Sequence, residues 1–405
     1  MNAKPLFSVI IPIFNHWDLT RNCLASLQKH SADLDYEVIV VDNGSKDASA
    51  CELAPLGQAL FGERFTRLRF EENRNFGPAC NAGAKAASAP LLFFLNNDTL
   101  LTPAWAPPLL QAFADKPDLG AAGPLLLYED DTVQHLGVAV GLNRVRHLYK
   151  GFPKTHPVVK KGRDFQILTA AAFMIPASLF AEAKGFYEGF ANGFEDVDLC
   201  LRLGAMGHTL RYVPESEVYH LESRTQGRKD NESHNSRLLR ERQGNAMRPD
   251  CHIYGLRDGF VPFITDSPDI SLRLTPEEEL QLLKKNRHSL LSLYNATRAN
   301  PFWIKGREVL AHMLEERGDK ELALNLYIEI ANILFSDDSA QRAADRFLQQ
   351  APNSLQGEQL AALAAKFREN RQNAELANFF LRHFSGHGDA FLDRLLDEYF
   401  SPILA

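Results

Sequence analysis

Leu91-Leu92-Phe93-Phe94-Leu95-Asn96-Asn97-Asp98-Thr99 is the stretch on which the reading of this chain turns. An apolar run of strand length stops abruptly at three polar residues, the pattern of a strand buried on both faces. Open α/β sheets bind their ligands outside the carboxyl ends of such strands. Asp98 is therefore placed where a hard cation and a phosphate would sit. The plainer alternative is a turn with an Asx cap, and these residues by themselves do not separate the two.

Upstream, Phe7–Ile13 is a β-rich run ending at Phe14-Asn15. A helix capped by Asp18 follows, with Leu19, Cys23, Leu24 and Leu27 on one face. Glu37-Val38-Ile39-Val40-Val41-Asp42 is a second buried strand, closed by the turn sequence Asp42-Asn43-Gly44-Ser45. Strand, helix and strand of these lengths make a βαβ unit and a parallel sheet. Leu68-Arg69-Phe70 adds a short third strand. The alanine-rich stretch 79–87 reads as a helix entered through Gly77. Its small residues suit tight packing on the sheet, while Asn75 and Asn81 are the functional candidates there.

Downstream the pattern predicts a helix around 109–113 and strands at 123–128, 138–140 and 168–176. Residues 141–164 carry Arg144, Arg146, Lys150, Lys154, Lys160, Lys161 and Arg163, and read as a mobile, solvated surface loop. After the aromatic, glycine-punctuated segment 185–190, Glu195-Asp196-Val197-Asp198 opens a helix. A helix dipole favours acids in the first turn, yet three in four positions exceed what capping requires. Gly207 ends that helix, and strands follow at 209–213 and at Val218-Tyr219-His220. Arg224, Arg228 and Lys229 then offer a lid over a diphosphate, with simple surface solvation as the alternative.

The chain of 405 residues has room for two domains or more. A net charge of −7 leaves no basic footprint for nucleic acid. No run approaches the ~18 apolar residues of a transmembrane segment, and the N-terminus enters a strand without a signal-peptide pattern. The five cysteines are scattered, with no CxxC, which argues for reduced thiols and a cytoplasmic location, with the inner membrane face as a peripheral variant. From Ser267-Pro268 the composition becomes helical. Thr275-Pro276-Glu277-Glu278 is a capped helix start. Breaks fall at Asn300-Pro301, Gly318-Asp319 and Ala351-Pro352-Asn353. Leu310, Leu314, Ala323 and Tyr327 resemble one tetratricopeptide repeat, with Tyr294 and Pro301 about one 34-residue period earlier. The expected division is a first domain at 1–262, a linker at 263–274 and an all-α helical-hairpin domain at 275–405. The helical part serves as an appendage or a self-association surface, or as a groove for an acceptor protein or partner.

Taken in order, the motifs resemble those of family 2 glycosyltransferases. They are Val9-Ile10-Ile11-Pro12-Ile13-Phe14-Asn15, Val40-Val41-Asp42-Asn43-Gly44-Ser45, Asn75-Phe76-Gly77 with Asn81, Phe94-Leu95-Asn96-Asn97-Asp98-Thr99, and Phe194-Glu195-Asp196-Val197-Asp198 with Arg202-Leu203, followed by His220. The resemblance covers about residues 5–255. It implies an α/β GT-A fold with a mostly parallel sheet and transfer, with inversion, of a hexosyl or deoxyhexosyl group from a nucleoside diphosphate sugar. UDP ranks first as the nucleotide and dTDP next. The acceptor hydroxyl would belong to a surface glycan, a lipid-linked saccharide or a protein.

The roles the resemblance implies are specific. Pro12 and Asn15 line the base pocket, and Asp42 bonds the base or ribose. Asn75, Asn81, Asn96, Asn97 and Arg224 contact the nucleotide or its diphosphate. Asp98 and His220 hold Mn²⁺ or Mg²⁺. Asp196 is the general base, with Glu195 beside it positioning the acceptor. One departure matters: Asn96 and Asn97 stand where the family often carries aspartates. Asparagine brings no charge to a metal, so weak, exchangeable binding is expected. A competing class is a helical-repeat interaction protein whose transferase domain is inactive. A sugar nucleotidyltransferase would need a glycine-rich phosphate loop near the N-terminus, and residues 10–17 contain no glycine.

Overall fold

The computed structural model describes residues 4–221, 231–244 and 246–405. The chain forms two compact units, one of residues 1–139 and 147–248, the other of residues 140–146 and 249–405. In chain order the elements up to residue 243 are β1 (Phe7–Ile13), α1 (Trp17–His30), β2 (Tyr36–Asp42), α2 (Ser49–Phe61), β3 (Phe65–Arg69), α3 (Phe76–Ala86), β4 (Leu91–Leu95), β5 (Thr99–Leu101), α4 (Ala106–Asp115), β6 (Leu119–Leu127), β7 (Val133–His135), β8 (Val138–Val140), β9 (Val145–His147), β10 (Arg163–Phe165), β11 (Ala172–Pro176), α5 (Ala177–Glu182), α6 (Glu195–Ala205), β12 (Thr209–His220) and α7 (Glu232–Gln243).

The first unit is built on one sheet in the order β10-β12-β6-β11-β4-β1-β2-β3, with β5 and β7 pairing β12 and β6. The run β3-β2-β1-β4 is parallel, as the βαβ pattern predicts. Beyond β4 the sheet is mixed: β11 runs antiparallel to β4 and β6, and β12 parallel to β6. Alternation along β1 sends Phe7, Val9, Ile11 and Ile13 into a core with Cys23, Leu24, Leu27, Trp105 and Leu109. On the opposite face α3 lies so close that a Cβ on Gly83 would come within 2.5 Å of Ile10. The alanine-rich helix is thus a packing device.

This topology gathers distant segments at one edge. Parallel β1, β2 and β4 all end there. The antiparallel β11 begins beside that edge, with Ala172 opposite Leu95. His220, the last residue of β12, pairs with Thr99.

Several expectations need correction. Asp18 does not cap α1: the cap is His16, in the left-handed region at φ 58°, and Trp17 N–H donates to Asp47 instead. The stretch 141–164 is not a solvated charge run. Leu148, Tyr149, Phe152, Val158 and Val159 are buried, Arg144 and Arg146 pair with buried Asp269, Lys154 pairs with Asp131 and Glu217, and Lys160 pairs with Glu217. Opposite charges supplied from distant positions could not be read locally. Arg224, Arg228 and Lys229 lie outside the described residues.

The second unit opens with α8 (Cys251–Arg257). Where a linker over 263–274 is expected, the chain instead forms a hairpin of β13 (Val261–Ile264) and β14 (Ile270–Arg273), which buries Ile264, Ile270 and Leu272. Helices from Pro276–Asn286 to Ala390–Leu404 follow. The first has the capping box read from its sequence, with Thr275 and Glu278 bonding reciprocally. Leu310, Leu314, Ala323 and Tyr327 are buried, whereas Tyr294 is 48% exposed and fills no core position. No helix among the described residues is long and apolar enough to cross a membrane.

Candidate active site

The gathered strand ends enclose a cleft of about 240 Å³. Pro12, Ile13, Phe14 and His16 come from the end of β1, Asn43 from the end of β2, and Asn73 and Phe76 from the entry to α3. Asn96, Asn97 and Asp98 come from the end of β4, Thr169, Ala170 and Ala171 from the turn before β11, and 192–196 from the start of α6; His220 closes the set. The two acidic segments, far apart in sequence, thus face one cavity. The rim is strained: Asn15, His16, Asn75, Asn192 and Phe194 are non-glycine residues with φ between 53° and 72°. Such conformations persist only where surrounding structure enforces them, and they cluster at functional sites.

At one pole Asp98 is 5% exposed. Among the described residues its buried Oδ1 has no hydrogen-bond partner; His220 Nε2 lies 3.1 Å away. A buried carboxylate oxygen left without a donor costs on the order of 1–3 kcal/mol or more. A divalent cation would satisfy it. Among the described residues no group of three or more His, Cys, Asp or Glu is arranged to hold a metal. The pole therefore fits a hard cation held by one carboxylate, one imidazole and substrate oxygens, not an all-protein cage. Beneath it lies Cys23, whose thiol burial pushes up to about 12, so that it stays protonated and points at the Asn96 carbonyl and Thr99.

At the other pole Asp196 stands in the first turn of α6. Its Oδ2 accepts from Ala170 N–H at 3.1 Å and its Oδ1 from Val197 N–H at 2.9 Å. Two backbone donors fix the carboxylate while it still faces the cleft. Glu195 is buried beside it, against the entry to α3. The third acid, Asp198, does not face the cleft. It is fully buried and bound by Arg202, Arg242 and Gln243. Burial acts to raise its carboxyl, but the bonds from Arg242 and Gln243 and the charge of Arg202 outweigh it and hold it below the usual range.

Of the nucleotide-contact candidates, Pro12, Asn96 and Asn97 line the cleft. Asn97 also spends its amide N–H on Thr20 in α1. Asp42 does not line it. It is fully buried, with Oδ2 accepting from Arg67 and Arg69 and Oδ1 from Ser45 N–H, so it has no surface to offer a base or ribose. Asn81 is likewise committed, clamping the 186–188 loop through Phe186 N–H, Phe186 O and Glu188. Asn15 ties its loop to Lys46, and Asn75 stands at the N-cap position of α3 without a side-chain capping bond, outside the lining set.

Residues missed at the sequence level include Asn43, Asn73 and Asn192, which do line the cleft. Asn43 binds Asn73, Asn75 O and Arg74 N–H, and Asn192 Oδ1 accepts from Phe76 N–H, joining the two sides of the rim. Asn43 stands next to Asp42 in a motif already noted; the other two carry no local signal. Also missed was His135. It accepts from Thr169 N–H at 3.3 Å, next to the turn that anchors Asp196. Burial, then His147 and His220, hold its imidazole well below the usual range, so it is neutral.

The mixed sheet, with one acidic pole at its parallel strand ends and a second facing it on a helix start, is a GT-A type fold. A family model described as Glycosyl transferase family 2 matches residues 8–171. The chain is 31% identical over 249 residues to the uncharacterized protein y4gI of Sinorhizobium fredii, covering 60% of this chain and 27% of that one. It is 31% identical over 230 residues to the O-antigen biosynthesis protein RfbC of Myxococcus xanthus, covering 55% and 18%. The chain thus spans less than a third of the length of either relative. Among solved structures, GalNAc-T7 with UDP, GalNAc and Mn²⁺ aligns over 54% of this chain and 44% of that one, at 17% identity and a TM-score of 0.46.

Proposed function

We propose that this chain is an inverting glycosyltransferase that moves a hexosyl or deoxyhexosyl group from a nucleoside diphosphate sugar to an acceptor hydroxyl. The observation that carries this reading is the convergence of Asp98 and Asp196 on one cleft. Asp196, oriented by Ala170 and Val197 N–H, accepts the proton of the acceptor hydroxyl as its oxygen bonds to the anomeric carbon. The bond from that carbon to the diphosphate breaks, and the electron pair leaves on the diphosphate. Glu195 positions the acceptor. Asn96, Asn97 and Pro12 border the donor.

No arginine or lysine lines the cleft among the described residues, while three carboxylates do. A diphosphate entering there needs positive charge. Asp98 and His220 would hold a Mn²⁺ or Mg²⁺ ion, which supplies Lewis-acid neutralisation of the leaving group.

UDP is the first nucleotide proposed and dTDP the second. The likeness to an O-antigen biosynthesis protein favours a surface glycan as acceptor over a lipid-linked saccharide or a protein. Free cysteines, four of them buried, support action in the cytoplasm or at the inner membrane face. Leu291, Leu355 and Phe379, each more than half exposed, support a role for the helical unit in self-association or partner binding.

The second reading, an inactive nucleotide-sugar-binding module, draws on Asn96 and Asn97. The test is nucleotide release from UDP- and dTDP-sugars with Mn²⁺ and after exhaustive chelation. Metal-dependent release is expected, and release unaffected by chelation refutes the metal's part. Asp196→Asn is expected to lower turnover about 10²–10⁴-fold while retaining the thermal shift produced by donor. Wild-type turnover in that variant removes Asp196 as the base.

A further inference from the structure

Gln134, on the short strand β7, is 6% exposed and spends both ends of its amide on one residue. Its Nε2 donates to the His220 carbonyl oxygen at 3.1 Å, and its Oε1 lies 2.5 Å from His220 Nδ1. A carbonyl oxygen only accepts, so the amide nitrogen must lie on that side and the amide oxygen must face the ring. An amide oxygen also only accepts, so Nδ1 carries the proton. The ring then turns Nε2 toward the cleft.

Facing the cleft, Nε2 lies 3.1 Å from Asp98 Oδ1. Asn96 Nδ2, an amide donor, is within hydrogen-bond reach of Nε2 at 3.4 Å. Nε2 and Oδ1 thus lie side by side at the cleft, and among the described residues Oδ1 has no hydrogen-bond partner, an arrangement that a cation relieves. The sheet builds it: β6 pairs with β7 on one side and β12 on the other, which brings Gln134 to the end of β12 across 86 positions.

Resting on the reading of Asp98 and His220 as the cation-holding pair, we propose that Gln134 is the positioning residue of that pole. It sets the tautomer and ring plane of His220 so that Nε2 and Asp98 Oδ1 take one divalent cation together with the diphosphate. The choice of an amide has a consequence. A carboxylate in its place would add negative charge and raise the basicity of the imidazole. The neutral amide orients the ring without doing so, which keeps protein affinity for the cation low and lets it arrive and leave with the nucleotide.

The test uses the full chain, with Mn²⁺ titrated in the presence of UDP and free Mn²⁺ read by electron paramagnetic resonance. Gln134→Met, similar in size but without an acceptor, is expected to weaken Mn²⁺ binding about tenfold or more, the usual scale for loss of an outer-shell partner. UDP affinity without metal should be unchanged. Gln134→Glu keeps an acceptor at Nδ1 and is expected to bind Mn²⁺ at least as tightly as wild type. Wild-type Mn²⁺ affinity in Gln134→Met overturns the proposal. So does a folded Gln134→Glu that binds more weakly than wild type, and this second comparison decides the matter if the Met variant does not fold. Asp98→Asn separates the layers. If it abolishes Mn²⁺ binding and Gln134→Met does not weaken it, only the positioning role fails. If Asp98→Asn leaves Mn²⁺ binding intact, the metal pole itself fails.

Discussion

Two strand ends of the same sheet each carry a buried aspartate, and the two are used in opposite ways. Asp42 closes β2; Asp98 follows β4. Both come after apolar runs, and both are at most 5% exposed. Asp42 has a saturated environment. Arg67 and Arg69 reach it from the adjoining β3, where they pair with Val40 and Asp42, and Ser45 N–H completes the set. Gly44, at φ 81° and with room for no Cβ beside Glu72, makes the turn that delivers Ser45. Among the described residues no arginine pairs with Asp98, and its Oδ1 is without a hydrogen-bond partner. Burial of a carboxylate is therefore not a mark of function. What separates the two sites is whether the fold has already supplied the compensating charge.

The largest effect that can break this contrast is Asp98→Asn, which keeps the shape and removes the charge. Turnover is expected to fall about 10²–10³-fold, the scale of losing one electrostatic element of transition-state stabilisation, with little change in urea stability. A strong stability loss with normal turnover would make Asp98 structural and erase the distinction.

The complementary change, Asp42→Asn, is expected to do the reverse. Two arginines lose their counter-charge, so stability should drop by about 1–3 kcal/mol in urea titrations. The KM for donor should stay within about threefold, a limit set by less than 1 kcal/mol of lost binding. A large rise in donor KM without unfolding would restore Asp42 as a nucleotide contact.

The smallest effect sharpens the contrast within α6. Asp198 is saturated like Asp42, and its carboxyl is held below the usual range. A depressed carboxyl contributes stability that is present above the unfolded value of about 3.9 and is lost as pH falls through the lower folded value. The gap in Tm between wild type and Asp198→Asn should thus be constant from neutral pH to about 5 and shrink below about 4. A gap that widens with acidification contradicts the assignment.

How far the chain could be read in advance follows the same division. β1, β2 and β4 are legible because β-branched and aromatic runs of strand length have few other uses. The helix start at Thr275 is legible because both partners of its capping box lie within one turn. The helix Ser49–Phe61 is not legible in the sequence; it carries Pro55 internally and buries only Ser49, Leu53, Gly57 and Phe61. The polar helix Glu232–Gln243 escaped for a related reason. Its buried contacts are Asn235, which clips Ala191 through both backbone groups, and Leu239. Among the asparagines, composition cannot separate the cleft-lining Asn43, Asn73 and Asn192 from the clamps Asn15 and Asn81. All are polar residues in or beside the strand and helix ends of the sheet edge except Asn81, which lies in the middle of α3, and only partners from elsewhere in the chain assign them.

Local pattern was enough for the strands that build the sheet, the acidic turn after β4 and the acidic helix start, because strand length, periodicity and charge are properties of neighbouring residues. Tertiary structure alone decided that these acids share a cleft, that Asp42 and Asp198 are paired with arginines while Asp98, among the described residues, is not, and that Gln134 bonds both the ring and the carbonyl of His220. Each of these depends on which distant charge or hydrogen-bond partner arrives within about 3 Å, and strand order in the sheet, not adjacency in the chain, sets that distance.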